Sequence, residues 1–181
     1  MGETVQIDEG GFETIVATHH GEIYRYLRRL AWRAAEADDL SQETFLRAYR
    51  ARERLTPDAN VRAWLFAIAT NCFRNHIRGE QRRQAAHAAV KGRSRGDDGE
   101  GPEGQALFNE AHSVMAAIID KLPVRQRLAF VMRKIHDLSY EEIAHGLDCS
   151  EDSARAHVFQ AFRKIRQGLD GHALPQGERS S

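Results

Sequence analysis

Guanidinium and amide side chains at helical spacing are the groups in this chain best suited to recognition chemistry. Near the C-terminus, ARAHVFQAF places Arg155, His157 and Gln160 on the outward side of a helix whose other side carries Ala154, Val158 and Ala161. Arginine and glutamine can pair bidentately with guanine and adenine edges in a major groove. A solvated amphipathic helix behind a short turn would show the same pattern. Residues 71–95 add a basic block, Arg74, Arg78, Arg82, Arg83, Lys91, Arg93 and Arg95 against Glu80, whereas residues 96–120 hold six acids and no Lys or Arg. Cys72 and His76, four apart, could share a metal, but two ligands do not make a zinc site and Cys72 continues an apolar stripe. The histidines lack ligand spacing, and no GxSxG, Walker-type loop or paired-carboxylate arrangement occurs. No catalytic residue, metal or cofactor is therefore expected, and the chain is not expected to be an enzyme.

The elements that must position these groups are helical. In 181 residues, 26 Lys and Arg balance 26 Asp and Glu, so net charge points to no partner, while 41% hydrophobic residues and four prolines fit a globular chain rich in helix formers. The longest apolar runs, Trp64 to Ala69 and Val114 to Ile119, are far short of the roughly 20 residues that cross a bilayer. No membrane insertion is expected. The start MGETVQIDEGG has neither a basic opening nor an apolar stretch, which predicts a cytoplasmic protein. Two cysteines cannot form a disulfide framework.

Residues 92–104, GRSRGDDGEGPEG, read as a flexible Gly-rich linker. Before it, Phe12, Ile15, Val16, His19, Ile23, Tyr26, Leu27 and Leu30 predict one amphipathic helix, Asp38 to about Arg54 a second, and Asn60 to Arg83 a third with Val61, Trp64, Leu65, Ile68 and Cys72 buried. Asp38 and Asp39 would sit near the positive end of the second. After the linker, Ala111 to Leu122 form a helix, Pro123 opens another carrying Leu128, Val131, Met132 and Ile135, and Ser139 with Glu142 is a capping box for a short helix ending near Leu147. Ser150 caps the last helix, through Arg166, and the tight turn at Asp148 and Cys149 makes the final pair a helix-turn-helix candidate with small Ala144 at the crossing. Residues 121–169 carry nine bases against six acids, a mild excess suited to phosphate contact. The fold class is all-α: two small helical domains joined by the linker, the second containing the helix-turn-helix.

Three stretches, DDLSQETFLRAYR (Asp38 to Arg50), VRAWLFAIATNCFRNHIRGEQRR (Val61 to Arg83) and LPVRQRLAFVMRKIHDLSYEEIAHGLDCS (Leu122 to Ser150), resemble the extracytoplasmic-function sigma factors, the small promoter-recognition subunits of bacterial RNA polymerase. They stand in the family's order, with a linker where the family has one. The resemblance implies sigma domain 2 over residues 8–84, a linker over 85–106, sigma domain 4 over 107–171 and a disordered tail over 172–181. It implies that Asp38, Asp39, Leu40, Gln42, Glu43 and Phe45 dock on core RNA polymerase. Asn71 and Asn75 match the minus-ten segment, where the family extrudes a base, and an amide can read the exposed edge. Arg74, Arg78, Arg82 and Arg83 follow as a phosphate track, a solvated basic face being the plain alternative. Trp64, Phe66 and Phe73 are candidate melting aromatics, although helical spacing places Trp64 in the core.

Ser153, Arg155, His157, Gln160 and Arg163 match the helix that reads the minus-thirty-five element. Here the chain departs from the family: His157, Gln160 and Phe162 occupy positions commonly basic, Ala156 replaces a common serine, and Asp148 sits where glycine is frequent, a place aspartate tolerates. The implied function is promoter recognition and melting by a sigma factor, with core polymerase and promoter DNA as partners. The rival reading is a sigma-like decoy that binds an anti-sigma factor without supporting transcription. The resemblance also allows a compact inhibited arrangement in which both domains close around an anti-sigma factor.

Overall fold

The computed structural model describes residues 9–31, 33–56, 58–90 and 109–172. They form seven helices in chain order: α1 Glu9–Leu30, α2 Ala34–Ala51, α3 Val61–Val90, α4 Asn109–Asp120, α5 Val124–Ile135, α6 Tyr140–Leu147 and α7 Glu151–His172, with a single 3-10 turn over Arg52–Arg54. No strand occurs among the described residues.

Helix boundaries in the first half differ from the sequence reading at two places. Helix α2 begins at Ala34, because Ala37, Leu40 and Ser41 are already buried and draw the preceding turn into the helix. Asp38 and Asp39 consequently lie in the second turn, beyond most of the helix-dipole effect. Helix α3 continues through QAAHAAV to Val90, alanine-rich sequence of high helix propensity, and so occupies the first six residues of the expected linker. The rest of that linker lies outside the described residues, as does the tail apart from His172, which ends α7.

Helix α7 passes Gly168 without breaking. A Cβ there would stand 3.0 Å from three carbons of Ile118 on α4, so glycine permits the close α4–α7 approach. The turn of the helix-turn-helix is specified as expected: Ser139 accepts from the Glu142 amide at 3.1 Å, the Glu142 carboxylate accepts from the Ser139 amide at 2.6 Å, and Asp148 adopts φ 52°, ψ 62°. The Ser153 amide donates to Ser150 Oγ at 3.2 Å, opening α7.

The two halves of the chain lie directly against each other. Phe12, Ile23, Tyr26, Leu27, Leu65, Phe66 and Phe73 from α1 and α3 belong to the same buried cluster as Leu128, Met132, Ile143 and Leu147 from α5 and α6 and Leu138 from the turn between them. At the junction Tyr26, Phe66 and His136 meet as three rings, with centroids 4.9–5.5 Å apart. Tyr26 is fully buried, its hydroxyl shares a 2.8 Å hydrogen bond with Thr70, and burial pushes its pKa up. A smaller cluster, Ile118, Ile119, Leu122, Ala161 and Ile165, holds α4 on α7.

Candidate nucleic-acid interface

The candidate residues fall on three helix faces, and the structure sorts them. On α2 the apolar side, Ala37, Leu40, Thr44, Phe45 and Ala48, is buried, which turns Asp38, Asp39 and Gln42 outward. Leu40 and Phe45 are thus core residues that orient this face and do not themselves form it. Glu43 is half-exposed and accepts from Arg47 Nε at 2.6 Å. Leu46, 53% exposed one turn beyond Gln42, adds an apolar centre to the same surface. Sequence periodicity missed it, because it reads like one more core leucine and only the packed structure shows it facing out.

On α3, Asn71, Asn75, Arg78 and Arg82 are all exposed, at spacings of four, three and four that align them on one side. Arg83 is exposed and paired with Glu80, one turn back. Arg74 leaves this track: it is partly buried, its Nη1 reaches the Leu147 carbonyl at 3.5 Å in the second half of the chain, and desolvation followed by the Arg125 and Arg78 charges lowers its pKa. Among the candidate melting aromatics, Phe66 and Phe73 are 0% and 1% exposed. Trp64, expected in the core, packs on it while remaining half-exposed along a cleft of about 550 Å³ whose other walls include Leu55, Thr56, Asn60, Glu142 and His145.

On α7, Arg155 projects outward, paired with Glu151 and stacked 4.6 Å from the Tyr140 ring centroid, so its stem is held ready along the helix surface. Arg163 is exposed as well. Ser153 is half-buried and serves the helix start, where its hydroxyl lies 2.9 Å from Ser150 Oγ. His157 is not outward: it is half-buried, burial followed by the Arg125 charge lowers its pKa, and its Nδ1 is buried without a partner. Gln160 is exposed, yet its Oε1 accepts from Gln126 Nε2 at 2.7 Å on α5. Phe159, 68% exposed between Arg155 and Arg163, occupies the outward stripe that the sequence reading gave to His157 and Gln160. The alternation of Ala154, Val158 and Ala161 fixes this phase, and a helical turn of 3.6 residues places Phe159 opposite it.

Chemically, these surfaces offer an acidic and apolar face on α2, an amide and guanidinium track on α3, and an arginine and aromatic stripe on α7. The described residues hold no cluster of three or more His, Cys, Asp or Glu side chains able to bind a metal. Burial raises the pKa of both Cys72 and Cys149, leaving neither a ready thiolate.

Comparison with known proteins gives these faces a context. Residues 15–83 match the family Sigma-70 region 2, and residues 113–165 match Sigma-70, region 4. The chain is 30% identical over 169 residues to the RNA polymerase sigma-H factor of Pseudomonas aeruginosa, covering 90% of this chain and 88% of that protein. It is 27% identical over 175 residues to the ECF RNA polymerase sigma-E factor of Escherichia coli, covering 93% and 89%. The fold is similar to the sigma factor RpoE in complex with the anti-sigma factor NepR from Bartonella quintana, with TM-score 0.69, 21% identity, and 88% of this chain and 96% of that one covered. It is also similar to CnrH in complex with the cytosolic domain of CnrY, with TM-score 0.65, 24% identity, and 91% and 90% covered. With both sigma-70 regions present in order and a relative at 30% identity along nearly the whole length, the chain belongs to the extracytoplasmic-function sigma factors, non-enzymatic initiation subunits of bacterial RNA polymerase.

Proposed function

We propose that this sigma factor binds core RNA polymerase through α2, directs it to a defined promoter set by reading the minus-thirty-five element with α7, and melts the minus-ten element along α3. The observation that carries the reading is the alignment of Asn71, Asn75, Arg78 and Arg82 on one exposed side of α3, inside the region 2 match. An amide that grips an extruded base offsets the unstacking energy of a few kcal/mol, and the arginines hold the separated strand by its phosphates. Reading by α7 rests on Arg155 and Arg163, with Ser153, His157 and Gln160 shaping the helix around them. An anti-sigma factor is a further partner under this reading, and the site of action is the cytoplasm, where polymerase and promoter meet. No described helix is long and apolar enough to cross a membrane. The decoy alternative is not favoured, because the family match extends over both the polymerase-docking and the helix-turn-helix regions.

Docking gives the first test. Gln42→Ala combined with Glu43→Ala should weaken co-purification with core polymerase while leaving the melting curve unchanged, because both side chains are outside the buried face of α2. Undiminished co-purification would remove α2 from polymerase docking.

The second test is electrostatic. Promoter affinity of the holoenzyme should fall with rising salt, and neutralising Arg78, Arg82 and Arg83 together should flatten the log–log slope by up to about one unit for each phosphate no longer neutralised. Arg83 should contribute least, because Glu80 already partners it. An unchanged slope would make these arginines solvated surface.

A further inference from the structure

Gln160 stands exposed on α7, four residues after Ala156 and three before Arg163. One end of its side-chain amide is held from within the protein. Gln126, 9% exposed in the first turn of α5, donates from Nε2 to Gln160 Oε1 at 2.7 Å. Gln126 is fixed in its turn, because its backbone amide donates to the Pro123 carbonyl at 2.9 Å where α5 begins, and α5 packs along α7.

That hydrogen bond changes what the glutamine can read. An unrestrained glutamine pairs with adenine by presenting both ends of its amide to the base, the oxygen accepting from N6 and the nitrogen donating to N7. Oxygen and nitrogen share one planar carbon, so drawing Oε1 onto a buried donor of α5 takes the oxygen to the protein side and leaves the Nε2 hydrogens facing out. The side chain then offers donors without an acceptor. Guanine shows two acceptors side by side in the major groove, O6 and N7, and no donor. Adenine and cytosine each carry an amino group there, and thymine has O4 beside a methyl. Arg163, exposed one turn further along α7, adds positive charge that suits the same accepting edge.

We propose that Gln126 is a positioning residue for promoter specificity: by holding Gln160 Oε1 it makes Gln160 a hydrogen-bond donor that selects guanine over adenine at one base pair of the upstream element. The inference rests on the reading of α7 as the helix that enters the major groove. Gln126 itself never meets DNA. Buried on α5, it acts only through the orientation it imposes on its neighbour.

The experiment measures closed-complex binding of the holoenzyme to a promoter it transcribes, with every single base-pair substitution of the upstream element. With the wild-type chain, one position should favour guanine over adenine by about fivefold or more, the lower end of what a direct base contact discriminates. Gln160→Ala should abolish the preference at that position alone. Gln126→Met keeps the length of the side chain but donates nothing, so Gln160 regains both ends of its amide and the guanine-to-adenine ratio should fall about fivefold. Gln126→Glu, when ionised, accepts and cannot donate. It should draw the Nε2 hydrogens of Gln160 inward, turn Oε1 out, and move the preference to a base with an amino group, adenine or cytosine. Loosened packing would weaken binding to all sequences alike and would not exchange one base for another, and thermal unfolding of each variant reports it separately. Should Gln126→Glu fail to fold, Gln126→Met and Gln160→Ala carry the test. An unchanged preference in Gln126→Met, a wild-type preference for adenine at that position, or no change of preference in Gln160→Ala while Arg155→Ala weakens binding, overturns the inference and leaves α7 as a reader. If neither Gln160→Ala nor Arg155→Ala alters binding to the upstream element, the reading of α7 itself fails, and the inference with it.

Discussion

Replacing Asn71 with alanine should leave closed-complex formation near wild type and slow strand opening by one to two orders of magnitude, the loss expected when about 1–3 kcal/mol of base-edge discrimination disappears. The prediction follows from position: Asn71 is exposed on α3 and anchored by buried neighbours Thr70, Cys72 and Phe73, so alanine removes the amide without disturbing the helix. A promoter carrying a pre-melted bubble removes the unstacking cost from the reaction and should restore much of the lost rate. Arg155→Ala should behave oppositely. It removes a candidate major-groove contact from α7, so its defect belongs to closed-complex binding and the bubble should help it little. Permanganate footprinting separates opening from binding for both variants. Equal rescue of the two, or rescue of neither, would refute the division of labour between α3 and α7.

The largest effect on stability is expected at Phe66. Its ring is fully buried between Tyr26, at 4.9 Å, and His136, at 5.1 Å, which ties α1 and α3 to the turn after α5. Phe66→Ala should cost about 3–5 kcal/mol, a large share of the roughly 5–15 kcal/mol typical of a folded domain. Phe159→Ala, at a side chain 68% exposed, should change stability by less than about 0.5 kcal/mol. Urea unfolding followed by circular dichroism measures both. Similar midpoints for the two variants would contradict the placement of the core.

The contrast between those phenylalanines shows what the sequence can and cannot disclose. Apolar spacing, capping signals and charge placement together anticipated the seven helices of the described residues, and the Ser139–Glu142 pair with Asp148 specified the helix-turn-helix turn, because capping and turn chemistry act over three or four residues. Helix ends were less legible: α2 starts early because Ala37 packs on its neighbours, a tertiary effect that no local signal carries. The exposed stripes of α2 and α3 follow from the apolar phase, which is why Gln42, Asn71, Asn75, Arg78 and Arg82 stand where spacing put them. Spacing did not separate Arg74 from that track, since its partner, the Leu147 carbonyl, lies 73 residues away. It likewise could not turn His157 toward the Arg125 charge or Gln160 onto Gln126, nor foresee that the two halves pack on each other through Gly146 and Ala67. Long-range contacts decide those positions, and periodicity does not encode them.

That this chain directs core polymerase to specific promoters is tested most directly by reconstituted transcription. Purified core RNA polymerase, with and without the chain, is given fragmented DNA from the source genome, and the 5′ ends of the transcripts are sequenced. The expected result is a small set of start sites that appear only with the chain, whose upstream regions share two elements near minus ten and minus thirty-five. Stable binding of the chain to core polymerase with no chain-dependent start sites would contradict it.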